Sequence, residues 1–306
     1  MIAEKTFSIL ITTKNRLKHL KFTLQRISHL IGRKDVECII CDDGSSDDTS
    51  GFIRKKYPQI HLIQNERSKG LIYSRNRLLN LTTAKYAVSL DDDAHFITEN
   101  PLEIIEQQFL KDPNIGVLAF RIFWKKKIAT SILCNDKTER VKGFVGCGHV
   151  WNMEAWRSIP EYPAWFIFYG EEEFASFQLF KNNWQISYVP DIFVQHRVDI
   201  KSRKRAKDYR VRLRRSLRSG WYVYMLFYPW NQIPKRFMYT LWMQLKLKVF
   251  KGDVKALLAI FQAFFDLIIN LPRLITNSNR FTVEEFEVYS QLPDTKLYWI
   301  PKDLEN

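Results

Sequence analysis

Residues 86–93 have the sequence YAVSLDDD, in which an apolar run is followed at once by three aspartates. The apolar run predicts a buried strand. Because unpaired carboxylates are costly to bury, we expect Asp91, Asp92 and Asp93 at the end of this strand, where they can reach the surface. Side chains two residues apart on an extended chain point the same way, so Asp91 and Asp93 can share one target. Such a pair suits Mg²⁺ or Mn²⁺ and a bound diphosphate, whereas a solvated acidic turn is the alternative for an isolated Asp-x-Asp.

Strands and helices are predicted to alternate three times upstream of the aspartates. The predicted strands are residues 7–12, 36–41, 60–64 and 86–90, and the helices between them are 17–30, 49–56 and 72–81. This alternation predicts an α/β fold with a doubly wound, mostly parallel sheet and helices on both faces. Ligands of such sheets bind at the carboxyl ends of the strands. The polar loops after Thr12, Cys41 and Leu90 would therefore open onto one edge, where we expect the functional site.

The composition is that of a globular protein with a basic surface. The chain has 306 residues, of which 46% are hydrophobic and 26% charged, and its net charge is +14. This length allows one large domain or one domain with a sizeable appendage. The excess of Lys and Arg lies mainly between residues 197 and 251, which indicates an anionic partner: membrane headgroups, nucleic acid or a phosphorylated substrate.

The cysteines predict neither a disulfide framework nor a zinc site. Cys38 and Cys41 lie within one predicted strand, and a spacing of three points them to opposite faces, so both are expected to be buried apolar residues. The N-terminal apolar run is very short and lies between Glu4 and Lys14, unlike a signal peptide. We therefore expect a cytoplasmic protein.

Six motifs, in order, carry a resemblance to a known family. They are a first strand with Thr-x-x-Arg, DDGSSDDT (42–49), NERSKGLIYSRN (65–76), SLDDD (89–93), GFVGCGHVW (143–151) and YGEEEFA (169–175). From about residue 7 to residue 197 the chain resembles family 2 glycosyltransferases of GT-A fold, of the rhamnosyltransferase-like, polysaccharide-biosynthesis type. The order and spacing of six motifs make this resemblance far more specific than a lone Asp-x-Asp.

The resemblance implies a nucleotide-diphosphate sugar donor, with UDP or dTDP as the nucleotide, and a divalent cation, Mn²⁺ or Mg²⁺. It implies that the donor is contacted by Thr12, Arg16, Asp42 or Asp43, Arg75, Asp91 and Asp92. It also implies that the metal is held by Asp93, Asp91 and His196. Imidazole nitrogen is an acceptable ligand for Mn²⁺.

The resemblance also implies that Glu172 is the general base of an inverting transfer, with Glu171 or Glu173 as competitors for that role. Three adjacent glutamates repel one another, which raises a carboxyl pKa toward the range useful for a base. The alternative is an acidic first turn that stabilises a helix continuing to Phe180. Phe174 and Gln178 stand where the family often has an acidic residue and an arginine, which leaves acceptor handling open.

The composition changes after residue 200. Residues 203–218 contain nine Lys or Arg and one Asp, dense aromatics follow at 221–230, and 254–271 is an apolar helix candidate. We expect a catalytic domain over 1–200, with a nucleotide-sugar half to about 95 and an acceptor half from 96, and a helical extension over 201–306. The extension either lies in a membrane interface or packs onto the catalytic domain or a second subunit of a homo-oligomer. Nucleic acid is not an expected partner, because no recognisable nucleic-acid module accompanies the basic residues.

The leading hypothesis is a metal-dependent, inverting glycosyltransferase that acts on a hydroxyl of a glycan or lipid-linked acceptor at the cytoplasmic face of a membrane. A sugar nucleotidyltransferase is an alternative, but it is expected to carry a glycine-rich phosphate loop after the first strand, and residues 12–16 contain no glycine. A non-catalytic scaffold of the same fold is a second alternative. The presence of Asp91, Asp93 and Glu172 argues against it.

Overall fold

The computed structural model of the chain describes residues 5–129, 131–198 and 208–300. The strands within these ranges are β1 (Phe7–Thr13), β2 (Val36–Asp42), β3 (His61–Gln64), β4 (Tyr86–Asp91), β5 (Ala94–Phe96), β6 (Ile115–Trp124), β7 (Glu139–Arg140), β8 (Gly148–Asn152) and β9 (Gln185–His196). The helices are α1 (Leu17–Arg26), α2 (Ser28–Ile31), α3 (Thr49–Lys56), α4 (Leu71–Leu81), α5 (Pro101–Lys111), α6 (Met153–Arg157), α7 (Glu171–Lys181), α8 (Tyr209–Phe227), α9 (Ile233–Leu247), α10 (Val254–Thr276) and α11 (Val283–Gln291). Short 3₁₀ turns lie at Ala164–Phe166 and Val249–Lys251.

The predicted elements of the first 95 residues are confirmed, with one exception in a helix. The predicted helix 17–30 is divided at Ile27, whose backbone leaves the helical region at φ −103° and ψ 11°. Ile27 is fully buried, and the break directs Leu30 and Ile31 of α2 into the same apolar cluster. Helical spacing of leucines predicted the buried face correctly but carried no signal for the change of direction.

Strands β1 to β4 form a parallel sheet, as predicted. The spatial order of the strands in the described ranges is β3-β2-β1-β4-β8-β6-β9-β5, with β7 beside β9. Neighbours from β3 to β4 are parallel. Beyond β4 the sheet is mixed, because β8 runs antiparallel to both β4 and β6, while β6 and β9 are parallel. The result is an α/β fold with helices on both faces of one curled sheet.

Two apolar clusters cover the two faces of the sheet. One is built on α1, α2, α3 and α5, and the other on α4, α6 and α7. Cys38 belongs to the first cluster and Cys41 to the second, and both are buried free thiols. The prediction that these two cysteines point to opposite faces as small apolar residues is confirmed.

The C-terminal part of the chain is helical and packs onto the sheet domain. Side chains of α8, α10 and α11 join the cluster around α7, among them Tyr222, Phe227, Leu274 and Tyr289. Helices α8 and α10 also share a smaller cluster in which α10 contributes mainly alanines. Two predictions fall partly or wholly outside the described residues. One is the basic run, of which residues 203–207 are not described, and the other is the domain boundary at 200/201.

Candidate active site

Strand register brings three polar segments to one edge of the sheet. Thr12 pairs with Asp91 across β1 and β4, and Thr13 pairs with Asp42 across β1 and β2. A cavity of about 520 Å³ opens at these strand ends. We call it the sheet-edge cavity; its lining includes Thr12, Lys14, Arg16, Asp43, Lys69, Asp91, Asp92, Asp93, His196, Arg212 and Arg215. The convergence of the loops after β1, β2 and β4 is therefore confirmed.

Asp91, Asp93 and His196 form a cluster suited to a metal ion. Each offers one ligand atom, and these atoms lie within 4.8 Å of one another. His196 Nε2 is 3.0 Å from Asp93 Oδ1 and 3.7 Å from Asp91 Oδ2. The antiparallel pairing of β5 with β9 sets Ala94 opposite His196, which carries the imidazole to the aspartates. Carboxylate oxygens suit both Mn²⁺ and Mg²⁺, and an imidazole nitrogen is an acceptable ligand for Mn²⁺.

The charges in this cluster are balanced by protein groups. Burial raises the pKa of Asp93, but the hydrogen bond from His196 and the charges of His196 and Arg16 outweigh it and hold the pKa at about 2. Arg16 also pairs with Asp93 and, through Nε, with Asp92 at 2.8 Å. The carboxylates of Asp91 and Asp93 thus both face the position that a shared cation would occupy.

Asp92 points away from the metal cluster. It accepts a hydrogen bond from the Thr13 hydroxyl at 2.8 Å and pairs with Arg16. Its backbone carbonyl accepts a hydrogen bond from the Thr23 hydroxyl at 2.7 Å. Burial raises the pKa of Asp92 to about 7, against the lowering effect of Arg16. Asp92 therefore anchors the loop to α1, while its two neighbours face the target.

Asp42 and Asp43 differ in access to the cavity. Asp42 is 1% exposed and accepts a hydrogen bond from the Ser45 backbone at 2.9 Å, which closes the turn after β2. Asp43 lines the sheet-edge cavity. Its carboxylate accepts hydrogen bonds of 2.6–3.0 Å from Asn65, Ser68, Lys69 and Gly70. Of the two residues that the sequence left open, Asp43 is the one that reaches the cavity, where it also holds the loop 65–70.

Arg75 is a buried residue that contacts both Asp91 and the glutamates at the start of α7. The guanidinium donates to Asp91 Oδ1 at 2.9 Å, to Glu171 Oε1 at 2.7 Å and to the Gly146 carbonyl at 2.9 Å. It is also 3.6 Å from Glu172 Oε1. Burial lowers the pKa of Arg75, but Asp91 and Glu171 raise it above its ordinary value, so the cation is permanent. One buried arginine therefore joins a metal-cluster carboxylate to the glutamates of α7.

The three glutamates at the start of α7 occupy different environments. The Glu171 side chain is 2% exposed, whereas that of Glu172 is 28% exposed. Burial, and then the Glu172 carboxylate, raise the pKa of Glu171 to about 8. Glu172 and Glu173 line a second cavity of about 700 Å³, which we call the Glu172 cavity. Its other walls come from residues 142–145, α7, α9, α11 and the segment after α11.

Gly146 explains part of the glycine-rich motif 143–151. A Cβ at this position would overlap Glu172 Oε1 and stand 2.7 Å from Arg75 Nη1. A side chain at this position would therefore displace the Glu172 carboxylate and the Arg75 guanidinium from the places they occupy.

A segment with unusual backbone geometry precedes the glutamates. Ile167 and Tyr169 have φ values of 68° and 71°, and Gly170 has a φ of 86°. Positive φ is rare for a β-branched residue such as Ile167, and such strain persists only where the surroundings enforce it. Helix α8 holds the segment, because Arg218 donates to the Phe166 carbonyl and Ser219 to the Phe168 carbonyl. Ile167 and Phe168 line the sheet-edge cavity.

Helix α8 also brings Arg212 and Arg215 to the sheet-edge cavity, which sequence reasoning missed. Arg212 pairs with Asp208 at 2.6 Å. No ion pair is found for Arg215 within the described ranges. The basic run was the only signal in the sequence, and it did not indicate which arginines face the site.

The N-terminal half matches a known family. Residues 8–149 match the model of glycosyl transferase family 2. These residues are therefore similar to a family 2 glycosyltransferase domain. The domain includes β1 to β4 with the aspartates, while Glu172, His196 and α8 lie beyond the matched segment.

Two curated relatives from Escherichia coli match parts of this chain. UDP-Glc:alpha-D-GlcNAc-diphosphoundecaprenol beta-1,3-glucosyltransferase WfaP is 41% identical over 66 residues, which are 21% of this chain and 26% of that protein. Chondroitin synthase is 33% identical over 85 residues, which are 27% of this chain and 12% of that protein. The chain thus spans about a quarter and about an eighth of the lengths of these relatives.

Solved structures that are similar to this chain share its fold. GalNAc-T7 with UDP, GalNAc and Mn²⁺ superposes with a TM-score of 0.59 at 17% identity, over 77% of this chain and 50% of that one. The mannosyltransferase PcManGT from Pyrobaculum calidifontis, in complex with GDP-Man and Mn²⁺, gives 0.55 at 13% identity, over 94% and 79%. S. aureus TarS gives 0.53 at 16% identity, over 68% and 38%. The predicted GT-A fold is confirmed.

Proposed function

We propose that this chain is a metal-dependent, inverting glycosyltransferase that moves a sugar from a nucleoside-diphosphate donor to a hydroxyl of a glycan or lipid-linked glycan. The observation that carries the proposal is the arrangement around Arg75. This residue connects Asp91, at the sheet-edge cavity, to Glu172, at the Glu172 cavity. A donor in the first cavity and an acceptor in the second would meet at this junction.

The donor diphosphate fits the charges of the sheet-edge cavity. Asp91, Asp93 and His196 would hold the cation, which when bound neutralises the diphosphate as it leaves. Arg16 and Arg215 present further positive charge to the same space. The charge that develops on the leaving group would be stabilised by preorganised cations.

Glu172 would act as the general base. Its carboxylate accepts the proton of the acceptor hydroxyl as that oxygen bonds to the anomeric carbon, opposite the leaving group. The anomeric C–O bond breaks, and its electrons remain on the nucleoside diphosphate, so the configuration is inverted. Exposure to the acceptor-side cavity favours Glu172 over Glu171, which is buried and bonded to Arg75.

We propose UDP as the preferred nucleotide and dTDP as the second choice. WfaP is named for a UDP-Glc donor, and TarS has been solved in complex with UDP and with UDP-GlcNAc. A rhamnosyltransferase-like subtype would instead favour a dTDP sugar. The Glu172 cavity, at about 700 Å³, has room for a sugar acceptor. The acceptor named for WfaP is an alpha-D-GlcNAc-diphosphoundecaprenol, which supports a lipid-linked acceptor and membrane contact for this chain.

Thermal unfolding with nucleotides tests this proposal. With Mn²⁺ present, we expect UDP at about 100 times its Kd to stabilise the folded state by about 2.7 kcal/mol, because ligand binding shifts the unfolding equilibrium. The Tm should rise by several degrees with UDP, less with dTDP, and return to its starting value with EDTA. The absence of a metal-dependent shift with any nucleoside diphosphate would contradict the proposed donor class and favour a non-catalytic scaffold.

Arg215→Ala tests the contribution of α8 to donor binding. We expect KM for the donor to rise about tenfold with a smaller change in kcat, because a hydrogen bond to a charged group is worth about 1.5–3 kcal/mol. Steady-state kinetics would measure the change. Arg210→Ala is the matched control, since Arg210 lies on the same helix but does not line the cavity. Equal effects of the two variants would contradict a direct role for Arg215.

A further inference from the structure

Helices α9 and α10 expose an unusually large apolar surface. On α10 the exposed side chains include Val254, Leu258, Phe261, Phe264, Phe265, Ile268, Ile269 and Ile275. Helix α9 and the turn after it add Met238, Tyr239, Trp242, Leu247 and Phe250. Leu241 and Leu245 of α9 pack against the apolar cluster that contains Ala256 and Ala259 of α10, which joins the two sets into one surface. We call it the α9–α10 face.

Much of this surface is the outward side of α10, whose opposite side is packed against α8. The residues of α10 that pack on α8 are small, and Ala256, Ala259 and Ala263 are fully buried. The large residues point outward instead, with Phe261 56%, Phe265 61% and Ile269 74% exposed. Contiguous exposed apolar patches of this kind mark an interaction surface.

The charges around the α9–α10 face are almost all positive. Residues 233–276 contain seven Lys or Arg and two Asp. Both aspartates are engaged: Asp253 accepts from the Ala256 backbone and the Tyr209 hydroxyl, and Asp266 pairs with Arg214. The exposed cations include Lys235, Arg236, Lys246, Lys251 and Lys255. An apolar surface with a cationic rim and exposed Trp and Tyr is complementary to anionic lipid headgroups over acyl chains.

We propose that the α9–α10 face docks this protein on the surface of an anionic lipid bilayer, with α10 lying in the plane of the interface. Docking itself does not depend on glycosyl transfer. Its role in delivering a lipid-linked acceptor rests on the proposed function, since Arg236 belongs both to the rim and to the lining of the Glu172 cavity.

The packing of α10 argues for lying in the interface rather than spanning the bilayer. Within the described ranges, Val254–Thr276 is the one helix long and apolar enough to cross a membrane. Asp266, near its middle, is bonded to Arg214, and Arg218 is 3.8 Å away. A spanning helix would carry this charged cluster and arginine-rich α8 into the hydrocarbon, which is costly. In the interface, the charged side faces the protein and the apolar side faces lipid.

Charge also favours a bilayer over a second copy of the chain as the occupant. A two-fold dimer uses the same surface on both subunits. Two such faces would bring two cationic rims together without compensating anions. An anionic bilayer supplies that opposite charge.

Vesicle flotation with purified full-length protein tests the proposal. The vesicles contain phosphatidylcholine alone or phosphatidylcholine with about a third phosphatidylglycerol. We expect the wild type to float with the anionic vesicles and about tenfold less with neutral ones. The triple variant Phe261→Ser, Phe265→Ser, Ile269→Ser should lose at least tenfold in anionic-vesicle binding.

Two further measurements test the electrostatic part of binding. The double variant Lys251→Glu with Lys255→Glu should bind anionic vesicles more weakly than the wild type at low salt. Added salt should weaken the binding of the wild type, because it screens the attraction between charges.

The matched control is Leu110→Ser with Leu133→Ser, which removes exposed leucines outside the α9–α10 face and should float like the wild type. No flotation of the wild type, or equal flotation of wild type and triple variant, would overturn the proposal. A wild-type dimer in light scattering that the triple variant abolishes, without vesicle binding, would assign the face to a second copy. Nucleotide-induced shifts in Tm, measured in parallel without lipid, separate a failure of docking from a failure of the proposed function.

Discussion

Glu172→Gln is expected to lower kcat by about 10³-fold while leaving KM for the donor nearly unchanged. General base catalysis contributes about 10²–10⁴-fold, and glutamine cannot accept the proton of the acceptor hydroxyl. The donor should still bind, because the Glu172 side chain lines the Glu172 cavity and not the sheet-edge cavity. Product formation with a saturating UDP-sugar and a sugar acceptor would measure kcat, once the donor is identified.

The neighbouring glutamates provide matched controls for this prediction. Glu173→Gln removes the same charge from the same cavity and should change kcat by less than about threefold, because Glu173 makes no contact with Arg75. Glu171→Gln alters a buried side chain that accepts a hydrogen bond from Arg75, and disturbing a buried hydrogen bond costs about 1–3 kcal/mol of stability. Its signature should therefore be a lower Tm. If Glu173→Gln abolished turnover while Glu172→Gln did not, the assignment of the base would be wrong.

The sequence predicted the parts of the fold that local patterns encode. Alternating apolar runs and polar loops locate β1 to β4, and the register of β1 against β4 brings Thr12 and Asp91 together. The prediction that Asp91 and Asp93 share a target follows from the two-residue period of a strand. The structure agrees, since both carboxylates face His196 and Asp92 does not.

Contacts between distant elements could not be predicted in the same way. The position of Arg75 depends on α4, α7 and the 143–151 segment packing together, and no local period specifies that packing. The left-handed backbone at Ile167 and Tyr169 carried no turn signal, because neither residue type favours positive φ. His196 was predicted through family resemblance, since a lone histidine after an apolar strand is more often structural.

The positions of side chains in the helical extension also could not be predicted from the sequence. Its basic and aromatic composition predicted an interaction surface but could not separate the residues that face the site from those that face outward. Arg215 lines the sheet-edge cavity, Arg214 pairs with Asp266, and Lys255 is exposed beside the α9–α10 face. Three cations within one basic region therefore have three different surroundings, which only the packing of α8 against α10 decides.

Asp93→Asn should reduce activity by at least about 10³-fold and weaken Mn²⁺ binding more than tenfold. A bound cation supplies several kcal/mol of charge stabilisation, and about 4 kcal/mol corresponds to a factor of about 10³ in rate. Calorimetric titration of Mn²⁺ into protein with UDP would measure the affinity independently of turnover.

Asp92→Asn is the matched control, because it makes the same change one residue away on a side chain that faces Thr13 and Arg16. We expect its Mn²⁺ affinity to stay within about threefold of the wild type, since it contributes no ligand atom to the cluster. Equal losses of Mn²⁺ affinity in the two variants would mean that the negative charge of the triplet as a whole, and not the geometry of Asp91, Asp93 and His196, attracts the cation. Mn²⁺-dependent turnover retained by Asp93→Asn would remove Asp93 from the metal site.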